Sequence, residues 1–131
     1  MKPAADEVWC YEVLRRVRWP EGMTCPFCKA NRVTPHSRFE STPRRRYLCL
    51  GCRRTFTDLT GTPLARSHVA MTTWFRCLRR IEEVGSTAEL ARDLGVKWDT
   101  AAHLQRRLSS ALRHPGLVRR LRKVVQELDH D

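Results

Sequence analysis

The sequence holds little lysine and little acid. Four Lys accompany 21 Arg, and 14 Asp and Glu face 25 cations. No stretch nears the roughly 18 apolar residues of a membrane span, and Met1–Glu7 lacks the apolar centre of a signal peptide. Integral membrane and secreted scaffold classes are therefore disfavoured, and the cytoplasm, in association with the nucleoid, is the expected location. No Ser/His/Asp constellation, glycine-rich phosphate loop or pair of carboxylates suited to acid–base work can be read. His68, His103, His114 and His130 share no ligand spacing. An enzyme is the least supported class.

What is present is positive charge. The formal net charge is +11 over 131 residues. It is uneven: net +3 over 1–39, +7 over 40–80, −3 over 81–100 and +4 over 101–131. Such an excess points to a polyanionic partner, nucleic acid before membrane. Arginine suits bidentate contact with phosphate and guanine; a GC-rich genome is the other source of the bias. Hydrophobic residues make up 41% of the chain, enough for a core and against global disorder.

The cysteines carry the sharpest signal. Cys25-Pro26-Phe27-Cys28 is followed, after 20 residues, by Cys49-Leu50-Gly51-Cys52. Two C-x₂-C knuckles at that separation specify four thiolates around one structural Zn²⁺. Each short turn brings two sulfurs to one metal, and two turns complete a tetrahedron. Disulfides would need an oxidising compartment that nothing else supports. The shell is closed, so catalytic zinc is not expected; His36, between the knuckles, reads as a loop residue. Without metal the ribbon should not fold, since structural zinc contributes roughly 10–16 kcal/mol of apparent binding energy. Cys10 and Cys77 lie among apolar residues at helical spacing and read as small buried side chains.

The fold class expected is small α+β. An N-terminal helix over Asp6–Arg18 (unit 1–22) ends at Trp19-Pro20. A zinc ribbon (23–60) follows, with short antiparallel strands near Arg32–Thr34, Arg44–Leu48 and Arg54–Thr57. Its expected core is the metal with Phe27, Val33, Tyr47, Leu48 and Phe56. Asp58–Pro63 reads as a linker. The helical part (64–114) starts with a helix over Thr72–Val84. Ser86-Thr87-Ala88-Glu89 is a capping box opening a short helix that Gly95 ends. The next runs from Trp98 to about Arg113. Together the short helix, glycine turn and longer helix make a helix-turn-helix, with Ala91 at the crossing and Val96 plugging the turn. The C-terminal amphipathic helix, Leu117–Leu128 (unit 117–131), carries an apolar stripe. It either closes the bundle or forms a homodimer, with a slight lean to the dimer.

In a helix-turn-helix the second helix enters the major groove N-terminus first. The candidate base and groove contacts are Lys97, Trp98, Thr100, His103, Arg106 and Arg107, with Asp99 beside them. Trp98 either packs inward or lies on the DNA backbone. Lys97 holds the N-cap position, where Ser or Thr would be usual. Arg44, Arg45, Arg46, Arg53 and Arg54 form the densest cationic cluster and would supply sequence-independent phosphate contacts.

The strings Arg18-Trp19-Pro20-Glu21-Gly22-Met23-Thr24-Cys25-Pro26-Phe27-Cys28 and Arg46-Tyr47-Leu48-Cys49-Leu50-Gly51-Cys52-Arg53-Arg54-Thr55-Phe56-Thr57-Asp58-Leu59-Thr60-Gly61-Thr62-Pro63-Leu64 resemble the N-terminal zinc ribbon of a group of bacterial insertion-sequence transposases. Trp74 and Ala91…Gly95-Val96 match the helices that follow the ribbon there. The resemblance spans roughly 7–113 and implies a module that recognises transposon ends. In that group a DDE-type nuclease domain follows, holding two metal ions through carboxylates. The chain stops at Asp131, and Asp129 and Asp131 cannot form a two-metal site, so nuclease activity is not expected. A stand-alone protein, a truncated reading frame and a fragment remain open.

The function expected is sequence-specific binding of double-stranded DNA, as a transcriptional regulator or transposon-end reader. The alternative is an adaptor that docks its ribbon and helices on RNA polymerase or a full-length transposase, with only non-specific nucleic-acid affinity. RNA binding ranks last, because no exposed aromatic platform is evident in the pattern.

Overall fold

The computed structural model describes residues 7–38 and 43–128. Asp6, Asp129, His130 and Asp131 lie outside them. Five helices and three strands follow in the order α1 (Glu7–Arg18), β1 (Val33–Arg38), β2 (Arg45–Cys49), β3 (Thr55–Thr57), α2 (Met71–Arg80), α3 (Thr87–Leu94), α4 (Trp98–Leu112) and α5 (Leu117–Leu128). This is the α+β order expected. None of the described helices is long and apolar enough to cross a membrane.

The strands form one antiparallel sheet in the order β1-β2-β3. Pro35 pairs with Tyr47 and Ser37 with Arg46, so His36 is bulged out of register. Proline has no N–H to give a ladder, and an edge strand with a bulge is where it is tolerated. Along β2 alternation puts Tyr47 and Cys49 inward, while Leu48 is half-buried on the other face. The small ribbon core is Cys25, Tyr47, Cys49 and Phe56, flanked by Trp19, Met23, Ala30, Val33 and Cys52. Trp19 meets Tyr47 and Phe56 edge-on, at centroid distances of 5.9 and 6.3 Å. Phe27, expected in this core, is 46% exposed. Two thiolates that converge on a metal force the middle of their turn outward, and Trp19 fills the interior instead.

The helices bury a second, larger cluster around Trp74, Phe75, Leu78, Leu90, Leu104, Leu108 and Leu121. Cys10 and Cys77 are fully buried in it, and burial pushes the Cys77 thiol up to about 12. α2 ends at Arg80, four residues before the expected Val84. There the chain tightens: the Glu83 N–H reaches the Arg80 carbonyl three residues back, at 3.0 Å. Ala70 cannot cap α2 with a side chain. Glu7 of α1 does so, accepting the Met71 and Thr72 N–H groups at 2.7 and 2.9 Å. A carboxylate on these orphan donors also suits the positive end of the helix. The stripe of α5, which leaned toward a homodimer, closes the bundle: Val118, Leu121 and Val125 are buried against the helical core.

The stretch read as a linker is the joint between ribbon and helices. Leu59 and Leu64 belong to the helical core. Asp58 between them and the sheet is 0% exposed. Its Oδ1 accepts from Arg15 Nε at 3.1 Å and the Tyr47 hydroxyl at 2.5 Å. Its Oδ2 accepts from Arg15 Nη2 and the Arg45 N–H, both at 2.9 Å. Arg15 Nη2 also reaches the Pro43 carbonyl, at 2.6 Å. Arg18, one turn on, donates to the Asp58 and Thr60 carbonyls. Burial opposes the charge on Arg15, but its bonds to Asp58 and their attraction raise its pKa regardless. Burial, then the bond to Asp58, pushes the Tyr47 hydroxyl up to about 12.

Removing one partner of a buried ion pair strands the other, at a cost of about 3–5 kcal/mol. Asp58→Asn leaves Arg15 charged and facing an amide. It is expected to lower the unfolding free energy by that much, read in a urea titration as a lower midpoint at unchanged slope. The same change at Asp93, whose pair with Arg80 is exposed, is expected to move the midpoint far less. Equal effects at both sites would contradict the special role of the joint.

Candidate metal centre and nucleic-acid interface

The two knuckles share one construction. Cys25 N–H binds the Ala30 carbonyl and Lys29 N–H the Cys25 carbonyl; Cys49 N–H binds the Arg54 carbonyl and Arg53 N–H the Cys49 carbonyl, all at 2.8–3.0 Å. Each turn closes on a left-handed residue, Lys29 at φ 68° and Arg53 at φ 66°. The Phe27 N–H points at Cys25 Sγ from 3.3 Å and the Cys52 N–H at Cys49 Sγ from 3.5 Å. Donors aimed at sulfur favour thiolate. Gly51 is constrained by its neighbours: a Cβ there would stand 3.2 Å from the Ala30 Cβ.

The four sulfurs lie within 4.8 Å of one another. Cys25–Cys52 is 3.7 Å and Cys28–Cys49 is 3.5 Å. A tetrahedron with Zn–S of 2.3 Å has edges of about 3.8 Å, whereas a disulfide is only about 2.05 Å long. The cysteines are unpaired thiols on a zinc-sized cage, positioned to bind one zinc ion. His36 is exposed in the β1 bulge and stands outside the cage. Among the described residues no other group of three or more His, Cys, Asp or Glu could hold a metal.

α3 and α4 are joined through a tight glycine turn. Ser86 caps α3 by accepting from the Glu89 N–H at 3.1 Å. Glu89 reaches back to the Gly85 N–H, one residue outside a standard capping box. Gly95, at φ 68°, ends α3; its N–H meets the Arg92 carbonyl, and the Val96 N–H meets that of Ala91. This is a Schellman motif. Lys97 provides no side-chain cap to α4. α4 buries Ala101, Leu104 and Leu108. At 100° per residue, Asp99, Arg106 and Ser110 then lie opposite the buried side, and Arg113 follows as the exposed C-cap residue.

The candidate contacts take different places. Lys97, Asp99 and Arg106 are exposed, and Trp98 is 56% exposed, which decides against a core role for its ring. Thr100 and His103 are half-buried on the flanks. Arg107 grips the Pro63 and Ala65 carbonyls from Nη1, at 2.7 and 2.5 Å, and so anchors α4 to the joint. The arginine cluster is divided. Arg45 is exposed on the face opposite Arg46, Arg44 donates to the Tyr11 hydroxyl at 3.2 Å, and Arg53 and Arg54 are exposed on the second knuckle. Acidic residues of 81–100 engage cations locally: Asp93 and Glu83 pair with Arg80, and Glu82 pairs with Arg122.

Residues missed in the sequence are Asp58, Arg15, Arg18 and Glu7, which build the joint and cap α2, and Arg113 at the C-cap of α4. One signal was available: Asp58 is the lone acid between Glu40 and Glu82. An isolated acid in a strongly cationic block asks for a specific partner.

Residues 5–55 match the transposase zinc-ribbon domain. The ribbon is thus similar to that domain. Over 116 residues the chain is 33% identical to an uncharacterized protein in the transposable element ISH50 of Halobacterium salinarum, covering 88% of this chain and 39% of that protein. The chain thus spans about two-fifths of that relative's length. This relative is archaeal, whereas the resemblance drawn from the motifs was to bacterial insertion sequences. No solved structure matches. The match covers α1 and the cysteine cage together, in keeping with the leading helix being bound to the ribbon through Arg15 and Arg18.

The ribbon should bind one zinc per chain. Chelation is expected to collapse the dispersed amide signals of residues 23–57 while the helical circular dichroism persists, because the helices keep their own apolar cluster. Acidification should release the metal as protons compete for the thiolates. A ribbon that stays ordered after full zinc removal would contradict the assignment.

Proposed function

We propose that the protein is a transposase-derived module that binds double-stranded DNA and reads sequence through α4. The observation that carries this reading is the α3–Gly95–α4 unit. Its Schellman turn and buried inner face leave Lys97, Trp98 and Asp99 exposed at the leading end of a 15-residue helix and Arg106 exposed just past its middle. A helix of that kind fits the major groove, where arginine reads guanine O6 and N7. Half-buried His103 and Thr100 would act at the edges of the groove, and Arg113 would reach phosphate. The exposed Arg45, Arg53 and Arg54 would add sequence-independent contacts from the ribbon. Arg107 takes a positioning role in this reading. The transposase-type ribbon and the ISH50 relative support transposon ends as the target; a regulator's operator is the other target of the same chemistry. Homodimers, RNA polymerase and full-length transposase are partners that the α5 packing gives no specific reason to prefer.

Selection from a random duplex pool with zinc-loaded protein tests the reading by yielding an enriched motif. Arg106→Ala is then expected to relax preference at one or two positions, at about 1–3 kcal/mol of discrimination. Arg45→Ala should weaken all sequences alike. With about six phosphates neutralised, log K should fall with log salt at a slope near −5. Uniform weakening by both substitutions, with no enriched motif, would overturn base reading by α4.

A further inference from the structure

We propose that the outer tip of the first knuckle is a stacking platform for an unpaired base of a nucleic-acid strand, with Phe27 as the ring and the surrounding cations as the phosphate grip. Phe27 is 46% exposed although it sits between two zinc ligands. The knuckle has no structural need for a side chain there. The equivalent position in the second knuckle is Gly51, and that turn closes with the same hydrogen bonds. The aromatic ring is thus an addition to the fold, held out on a backbone that the metal makes rigid.

Its surroundings identify the ligand class. The Arg54 guanidinium lies over the ring, 4.9 Å from the centroid. Exposed Lys29 and Arg53 close the two knuckles, and Arg32 is exposed nearby in sequence. The two knuckle segments, 25–32 and 49–54, hold four cations and no Asp or Glu. A protein partner for a lone ring would call for an apolar surround, and here the surround is cationic. A planar ring beside a planar cation, in a field of positive charge, matches a base and its flanking phosphates. Paired bases hide their faces within the duplex stack, so the ligand is an unpaired nucleotide: a single strand, a frayed end or a flipped base. Single-stranded DNA and RNA share this chemistry. The site does not depend on α4 reading a duplex.

The test uses the full zinc-loaded chain and 12-nucleotide strands of DNA or RNA carrying one 2-aminopurine, with the same sequence as duplex for comparison. The expected result is tighter binding to a single strand than Phe27→Leu retains, by about tenfold. Wild type should also change the 2-aminopurine fluorescence on binding, and Phe27→Leu should not. Phe27→Tyr should keep both, with zinc content and duplex affinity unchanged in either variant. The DNA and RNA arms show which strand is preferred. Leu serving as well as Phe, or binding without any change in the base's fluorescence, would overturn the platform. That failure leaves an enriched duplex motif untouched, just as the absence of such a motif leaves this result standing.

Discussion

The buried carboxylate of Asp58 holds the molecule together as one object. It satisfies four donors from two elements: the Arg15 fork of α1, and the Arg45 N–H and Tyr47 hydroxyl of β2. Each of those groups would be costly to bury alone. Met by a single fully buried acid, they fix where the sheet stands relative to the first helix. Arg18 then fastens the following turn through its carbonyls, and Leu59 and Leu64 deliver the chain into the helical core. A ribbon with so few core residues gains a second anchor besides its metal.

Zinc and the Asp58 joint divide the work. The metal sets the local shape of two knuckles whose sulfurs would otherwise repel as thiolates. The joint sets their orientation toward α1 and, by way of Arg107 on the Pro63 and Ala65 carbonyls, toward α4. Cations on the ribbon and on the outer side of α4 therefore keep a constant spacing. In the proposed reading, the two surfaces would reinforce each other on a rigid body without the loss that a floppy connector imposes.

Much of this was legible in the residues. The C-x₂-C spacing encodes the cage because ligand geometry is local. The α5 boundaries and the Gly95 turn were legible because apolar periodicity and glycine are strong local signals. The parts that escaped are long-range. Glu7 capping α2 spans 64 residues, and the Arg15–Asp58 pair spans 43; no window contains both ends. Phe27 was misplaced because apolar character says nothing about the outward turn that two converging thiolates impose. Three consecutive arginines read as one patch, yet β alternation sends Arg45 to one face and Arg46 to the other. The α5 stripe lacked a partner in sequence because α1, α2 and α4 are assembled around it only in three dimensions.

Through Asp58, Arg18 and Arg107 the ribbon and helices are tied into a single rigid body. Backbone ¹⁵N relaxation of the zinc-loaded chain checks this. One rotational correlation time is expected for the amides of β1–β3 and of α2–α5 alike. A distinctly shorter time for the ribbon would show two units tumbling on a loose tether, and the joint built on Asp58 would then not hold the ribbon's surface at a fixed spacing from α4.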